Sequence, residues 1–579
     1  MCGIIGYSGP AQAARIIVKG LKRLEYRGYD SFGVATLGSG IEVCKKQGRI
    51  SGNETGALIL HGNTGIGHTR WATHGVPNDT NAHPHLDCRN RIAVVHNGII
   101  ENYAELKRGL EKKGHIFRSE TDTEVIVHII EDNYEGNLEE AVKLSLPLLH
   151  GSYALLAIAE GEERIIAARL SSPLVIGIGD NELFAASDMT PVLDYTSKAV
   201  YLEDWDLAVL THGRLEIQNA GVPVHRKEEL IEWSAEDVKK GGFAHYMQKE
   251  IFEQPDVFSK TIRALRREEL PEEIQTFRSA TIVACGTSYH AGLVFRYVAE
   301  EVLQVPVRLE FASEFKYFTP PVNNLVIGIT QSGETADTIA ALRKAREHNC
   351  PTLAITNILG SSVTRVADHT MYMMAGPEIS VAATKSFIAE LAVLLHIIDR
   401  ASGNTLEKSM DSVHMGMEEV LLLDLSPAVD VCKRAEHIFF AGRGPFYPVA
   451  LEGALKMKEI SYIHAEGYAA GEIKHGPFAL LSHETPVVAI CTPGTAYQVM
   501  ISNIKEMKAR GTPLIILGQK GDLDLAGIAD IFIPLPEGDM LTHICAATVA
   551  LQMLAYYTAA ILGMDIDKPR NLAKSVTVE

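Results

Sequence analysis

The sequence predicts a multidomain α/β protein: a sheet-rich α+β domain over roughly the first two hundred residues, then two duplicated, doubly wound parallel α/β units. Three observations carry this. Short β-rich runs alternate with helical ones as far as Thr211. Beyond 242 the pattern changes to apolar run, glycine-containing turn, helix, the pattern of a parallel sheet wrapped by helices. That pattern also occurs twice: Gly333 pairs with Gly494, Ala367-Asp368 with Ala529-Asp530 and the turn at Gly286 with that at Gly442, at a near-constant offset of about 160 residues. The expected organisation is a first domain at 1–224, a linker at 225–242 containing Arg226-Lys227-Glu228-Glu229 and Lys239-Lys240-Gly241-Gly242, α/β units at 243–410 and 411–566, and a tail at 567–579.

In the first domain, Gly3–Tyr7, Phe32–Leu37, Arg91–His96, Tyr153–Ala159, Arg164–Arg169, Leu174–Ile178 and Leu207–Thr211 read as strands, and Ala11–Arg23 and Thr123–Asn133 as helices. Downstream, Asn324 to Gly333 and Pro486 to Gly494 each lead from a buried strand through a turn into a helix. Ile544 to Met564 carries no charged residue and is long enough to span a bilayer. Its alanines, Thr548, Gln552, Tyr556, Tyr557 and Thr558 favour a helix buried in a core, so no membrane association is expected. A net charge of −18 and the absence of a basic block exclude nucleic acid as a partner. The eight cysteines, at 2, 44, 88, 285, 350, 432, 491 and 545, include no C-x-x-C pair. They read as reduced thiols of a cytoplasmic chain without a signal peptide, and no metal or cofactor is expected.

Chemistry begins at Cys2. Removal of Met1 would leave a thiol and an α-amine on one residue, a nucleophile with its own base, since their pKa values of about 8.5 and about 7.7–8.0 lie close together. Phosphate chemistry is expected at Thr330-Gln331-Ser332-Gly333-Glu334-Thr335 and Cys285-Gly286-Thr287-Ser288, where hydroxyls and helix-start N–H groups fall at strand C-termini. Ser and Thr at helix starts can also be plain N-caps. The corresponding turn of the second unit, Thr492-Pro493-Gly494-Thr495, loses a donor to proline, so the first unit should hold the phosphate.

Met1 to Gly6, Leu24 to Ser31, His68-Thr69-Arg70-Trp71-Ala72-Thr73-His74-Gly75, His96-Asn97-Gly98 and Ser119 to Asp122 resemble the N-terminal-nucleophile glutaminase domain of class II amidotransferases. Cys285 to Ser288, Thr330 to Thr335 and the tail Lys568 to Glu579 resemble the tandem sugar-isomerase (SIS) domains that family couples to it. The resemblance implies an αββα sandwich followed by two SIS units, and a homodimeric enzyme. It also implies the activity: conversion of L-glutamine and fructose 6-phosphate to glutamate and glucosamine 6-phosphate, with ammonia channelled between sites. Cys2 would be the nucleophile, Asn97 and Gly98 the oxyanion donors, Arg70 and Asp122 the partners of the glutamine α-carboxylate and α-ammonium. Thr73, His74 and His83 would line that pocket and Trp71 would be its lid. In the isomerase half, Lys574 would form a Schiff base with the open ketose, Glu459 would move a proton between carbons 1 and 2, His475 would assist ring opening, and Lys456 belongs to the catalytic set. Thr287, Ser288, Thr330, Gln331, Ser332, Thr335, Val381, Ala383 and Glu452 would hold the sugar phosphate. Thr330 stands where the family is expected to have Ser, keeping the hydroxyl, and Ala383 where Ser is expected, losing it. By spacing alone, Glu452, Lys456 and Glu459 share one helix face and read as a surface salt-bridge ladder. A related enzyme or deglycase acting on another phosphosugar, and a non-catalytic sugar-phosphate-binding regulator, remain as alternatives.

Overall fold

The structure, a computed structural model, describes residues 2–72, 74–231, 239–320 and 324–576. The chain divides into two compact units: residues 1–238 together with 573–579, and residues 239–572.

In the first unit two antiparallel sheets are stacked. One has the strand order 229–230, 198–201, 175–178, 183–186, 3–8, 64–70, 31–37, 41–47; the other 222–223, 214–219, 206–211, 162–170, 151–159, 92–100, 85–86. The period-2 alternation of strand side chains assigns each residue to a layer. Ile4, Val95, Ala154, Leu156 and Ile158 point into the space between the sheets. Their neighbours point outward: Ile5 packs with Ile17 and Leu21 of the Ala13–Leu24 helix. Val94, Tyr153 and Leu155 pack with Val125, Ile129 and Leu138 of the helices at Glu124–Asn133 and Leu138–Ser145. Helices on both outer faces of two stacked sheets make the expected αββα sandwich.

The expected strands and helices lie within a few residues of the observed ones, but Thr64–Arg70 was not expected as a strand. Its sequence, TGIGHTR, is poor in β-formers. Its glycines are needed because the helix crosses closely: a Cβ at Gly67 would lie 2.4 Å from Ile17 Cγ2. The linker also begins later than expected. Glu229–Leu230 pairs with Lys198–Ala199, and the Arg226 guanidinium ion-pairs with fully buried Asp206 at 2.7 Å, so these residues belong to the first unit. Most of the rest of the expected linker, 232–238, lies outside the described residues.

The second unit holds two five-stranded parallel sheets. Their orders are 307–311, 280–284, 325–329, 352–356, 369–372 and 464–469, 437–442, 487–491, 514–519, 531–535. The identical order is the structural form of the sequence duplication. A single apolar core runs through both repeats: Ile282, Ile327, Phe387 and Leu394 share it with Phe440, Met457, Val549 and Leu554. The charge-free segment forms the helix Met540–Ile561, whose most apolar stretch is 83% buried, so core packing accounts for its hydrophobicity. The tail divides. The Asp567 carboxylate accepts from the Tyr246 and Met247 amides, and the Arg570 guanidinium stacks on Tyr462 at 4.3 Å, which anchors its first part in the second unit. Residues from Ala573 onward group with the first unit.

Candidate active sites

Cys2 is held at both its thiol and its carbonyl. Its Sγ accepts from the Trp71 amide at 3.3 Å, and its carbonyl accepts from Arg27 Nε at 3.2 Å and Asn97 Nδ2 at 3.1 Å. Arg27 is fixed in turn by an ion pair with Asp188 at 2.9 Å, and the Tyr26 hydroxyl donates to the same carboxylate. Burial pushes the Cys2 thiol up; the Trp71 amide and the Arg70 guanidinium pull it down, and Asp122 pushes it up. A buried thiol beside opposed charges suits a nucleophile that is deprotonated only when a base and substrate are in place.

Arg70 and Asp122 therefore act electrostatically on the nucleophile from opposite signs. Arg70 is 3% exposed; its Nη2 donates to the carbonyls of His74 and Gly75, while Nη1 is buried without a hydrogen-bond partner among the described residues. An unpartnered guanidinium nitrogen in a buried position is costly unless a ligand supplies the acceptor, and a carboxylate is the matching one. Asp122 accepts from the Ile100 amide at 2.8 Å. Gly98 has φ +130°, and a Cβ there would lie 2.0 Å from the Ser152 carbonyl, so only glycine permits this backbone beside Asn97.

His83 stacks on His68 at 4.0 Å and meets His85 at 4.7 Å, and its Nδ1 accepts from the His96 amide. Burial pushes His68 down to about 3 and lowers His83, His85 and His96 as well, so all four are neutral. His74 packs edge-on against Tyr103, and Trp71 against Tyr29. Thr73 lies outside the described residues.

In the second unit the two predicted phosphate turns follow neighbouring parallel strands, Ala280–Ala284 and Leu325–Ile329, so they open side by side. Thr335 occupies the N-cap position of the Ala336–Glu347 helix, yet its hydroxyl makes no cap bond and instead shares a hydrogen bond with Thr330 at 2.8 Å. The plain-cap reading therefore does not describe this turn. Gly333, at φ +67°, has no room for a Cβ, which would lie 2.0 Å from Ser361 Oγ. Ser332 Oγ accepts from the Glu334 amide, and the Gln331 carbonyl from the Asn357 amide.

At the other turn, Thr287 donates to Glu452 Oε1 at 3.1 Å and accepts from Lys456 Nζ at 3.1 Å. Lys456 ion-pairs with Glu459 at 2.6 Å and Glu452 at 3.4 Å. The surface-ladder reading is overturned: the Lys456 side chain is 0% exposed and that of Glu452 1%, because the Phe446–Ser461 helix packs this face into the unit instead of toward solvent. Burial alone would lower the Lys456 pKa, but the two carboxylates outweigh it and hold the ammonium form. For Glu452, burial is likewise outweighed, by Lys456 and His290, and its pKa falls below the usual value. Glu459 is the member open to ligand, at 20% exposure.

Sequence reasoning missed several partners. Glu390 accepts from Ser288 Oγ at 2.7 Å, and His290 Nδ1 lies 2.8 Å from Glu452. A carboxylate alone in the apolar run Phe387 to Ile398 was the available signal for Glu390. Arg27 stood inside a quoted motif without a role, and nothing in the sequence marked Asp188. The Val381 amide donates to the Asp567 carbonyl at 3.0 Å. Glu378 accepts from the Thr384 and Ser386 amides, so a carboxylate already caps the helix that follows Ala383. His475 is exposed and joins no hydrogen bond among the described residues, and Lys574 belongs to the first unit.

The glutamine amidotransferase domain model matches residues 68–194, and the SIS domain model matches 273–399 and again 433–562. Two glutamine–fructose-6-phosphate aminotransferases (isomerizing), from Thermococcus kodakarensis and Thermus thermophilus, are 48% and 44% identical to this chain, each covering 100% of both chains. The chain belongs to the glutamine–fructose-6-phosphate aminotransferase family. A solved relative agrees with this placement: the C-terminal domain of the family member from Francisella tularensis, 37% identical, covers 57% of this chain and 100% of its own, with a TM-score of 0.52. Family membership accounts for the two dissimilar units in one chain, one for a nucleophilic thiol and one for a phosphosugar.

Proposed function

We propose that this chain converts L-glutamine and fructose 6-phosphate to glutamate and glucosamine 6-phosphate, the entry step of amino-sugar biosynthesis, in the cytoplasm and as a homodimer. The observation that carries the reading is full-length similarity to family members together with a buried Arg70 nitrogen lacking an acceptor beside the Cys2 thiol.

At the first site, the Cys2 thiolate attacks the glutamine amide carbon while Arg70 and Asp122 hold the α-carboxylate and α-ammonium. The oxyanion takes hydrogen bonds from Asn97 Nδ2 and the Gly98 N–H, ammonia leaves, and water hydrolyses the thioester to glutamate. At the second, the turns at Thr287-Ser288 and Thr330 to Thr335, with the Val381–Ala383 loop, bind the sugar phosphate, and His475 assists ring opening. The Lys574 amine condenses with the carbon 2 carbonyl, losing water, and ammonia displaces it from the imine. Glu459, oriented by Lys456, takes a proton from carbon 1 and returns it to carbon 2, which leaves an aldehyde at carbon 1 and an amine at carbon 2. Trp71 gates the passage of ammonia, and Glu452 fixes Thr287 and Lys456.

Borohydride reduction in the presence of fructose 6-phosphate tests the assignment. It should trap an adduct on Lys574 in the unmodified chain and none in Lys574→Arg, which should retain glutamine hydrolysis. An adduct on another lysine would refute the imine step.

A further inference from the structure

Four side chains with metal-ligating atoms converge in the first unit away from Cys2. Cys88 Sγ, His115 Nδ1, His128 Nδ1 and Glu131 Oε2 all lie within 4.8 Å of one another. They come from three separate places: the turn between the strands His85–Leu86 and Ile92–Ile100, the segment after the Tyr103–Lys113 helix, and the Glu124–Asn133 helix, where His128 and Glu131 share a face. We propose that Cys88, His115, His128 and Glu131 form a tetrahedral binding site for a divalent transition metal, Zn²⁺ by ligand type, that clips the outer helices of this unit to the edge of its sheet.

The distances fit. Zinc bonds of about 2.0–2.3 Å to N, O and S imply tetrahedron edges of about 3.3–3.6 Å. The thiol sulfur stands 3.6 and 3.7 Å from the two Nδ1 atoms, and those stand 2.9 and 3.0 Å from the same Glu131 oxygen. The outer atoms fit as well. His115 Nε2 lies 2.7 Å from Asp132 Oδ1, a carboxylate that would accept from Nε2 when Nδ1 binds a metal. His128 Nε2 is buried without a hydrogen-bond partner among the described residues, 3.8 Å from Glu124 Oε1. The alternative, a hydrogen-bonded network, requires two imidazoles and the Cys88 amide, at 3.2 Å, all to donate to one oxygen while the thiol faces both rings. The His128 side chain is 1% exposed, His115 10% and Glu131 15%, so the site is shielded yet within reach of solvent.

Placement adds a consequence. Cys88 stands just before the strand that delivers Asn97 and Gly98, and His128 and Glu131 lie on the helix that follows Asp122. A metal here would tie together the two elements that present the oxyanion donors and the ammonium partner.

The test uses the full chain in its Cys2→Ala form, which removes metal binding by the nucleophile, under reducing conditions. Titration of the metal-free protein with Co²⁺ should give the intense visible bands of a tetrahedral centre and a thiolate-to-metal charge-transfer band at one equivalent. Zn²⁺ should displace it and raise the melting temperature of the first unit. In Cys88→Ser the charge-transfer band should vanish and affinity fall at least tenfold; His115→Ala, at the more exposed ligand, should lower affinity similarly if Cys88→Ser folds poorly. Absence of the tetrahedral spectrum, or a spectrum unchanged in both variants, would overturn the proposal.

Discussion

Replacing Lys456 by Met separates a buried ion cluster from a surface ladder. The substitution keeps the length and apolar stem of the side chain and removes its charge and three partners: Glu459 at 2.6 Å, Thr287 at 3.1 Å and Glu452 at 3.4 Å. A surface ladder would register a change of about 0–1 kcal/mol. Here Glu459, at 20% exposure, can recover water, whereas Glu452, at 1%, keeps a buried carboxylate with only His290 and Thr287 beside it. One uncompensated buried charge costs about 3–5 kcal/mol. With an unfolding entropy of about 2.1 cal/mol/K per residue over about 330 residues, that is a loss of ~4–7 °C in the melting temperature of the second unit. Circular dichroism follows this transition. Tryptophan fluorescence does not, because none of the three tryptophans falls within residues 239–572. Adding Glu452→Gln should recover most of the loss by removing the stranded charge, while phosphosugar isomerisation stays impaired. A melting temperature within 1 °C or so of the parent for Lys456→Met would place the cluster in solvent and refute the account of the site.

Trp71 and Trp205, in the first unit, report a pH effect. His68, His83, His85 and His96 are held neutral by burial, with pKa values below the unfolded 6.5, so their contribution is present above pH 6.5 and lost as pH falls. His68 alone should remove about 2 kcal/mol by pH 5, and urea unfolding of the first unit that does not weaken between pH 7.5 and 5 would contradict the burial of the stack. Asn97→Ala should lower kcat for glutamine hydrolysis by about 10²–10³ with little change in KM; an effect confined to KM would move Asn97 out of the oxyanion role. Ser332→Ala and Thr335→Ala should each weaken fructose 6-phosphate binding by roughly 0.5–3 kcal/mol, read by calorimetry, with glutamine hydrolysis measured without sugar unchanged. Thr492→Ala and Thr495→Ala should leave sugar binding intact, and the reverse ranking would place the phosphate in the second repeat.

Much of this was legible in the sequence because it is local. The short apolar run Tyr153–Ala159 placed a strand, and the recurring strand, turn and helix placed two parallel sheets whose orders proved identical. What escaped depends on long-range packing. Thr64–Arg70 is a strand through its neighbours rather than its propensity, with every residue buried between strands 3–8 and 31–37. Glu452 and Lys456 share a face in any helix, but only tertiary packing decides whether that face meets water. Arg27 and Asp188 meet across most of the first unit's sequence, as do Cys88 and Glu131 across an intervening strand and helix, and no spacing rule connects them. The tail changed most. Its twelve residues from Lys568 read as one motif, yet Arg570 is anchored in the second unit and Lys574 groups with the first.

The most direct test of the central claim follows the nitrogen. With glutamine labelled by ¹⁵N at the side-chain amide, fructose 6-phosphate and an excess of unlabelled ammonium, the account predicts glucosamine 6-phosphate carrying ¹⁵N on carbon 2. Cys2→Ala should yield no labelled product while still isomerising the phosphosugar. Unlabelled amino sugar from the intact chain, or labelled product from Cys2→Ala, would contradict the transfer of ammonia from the Cys2 site to the sugar.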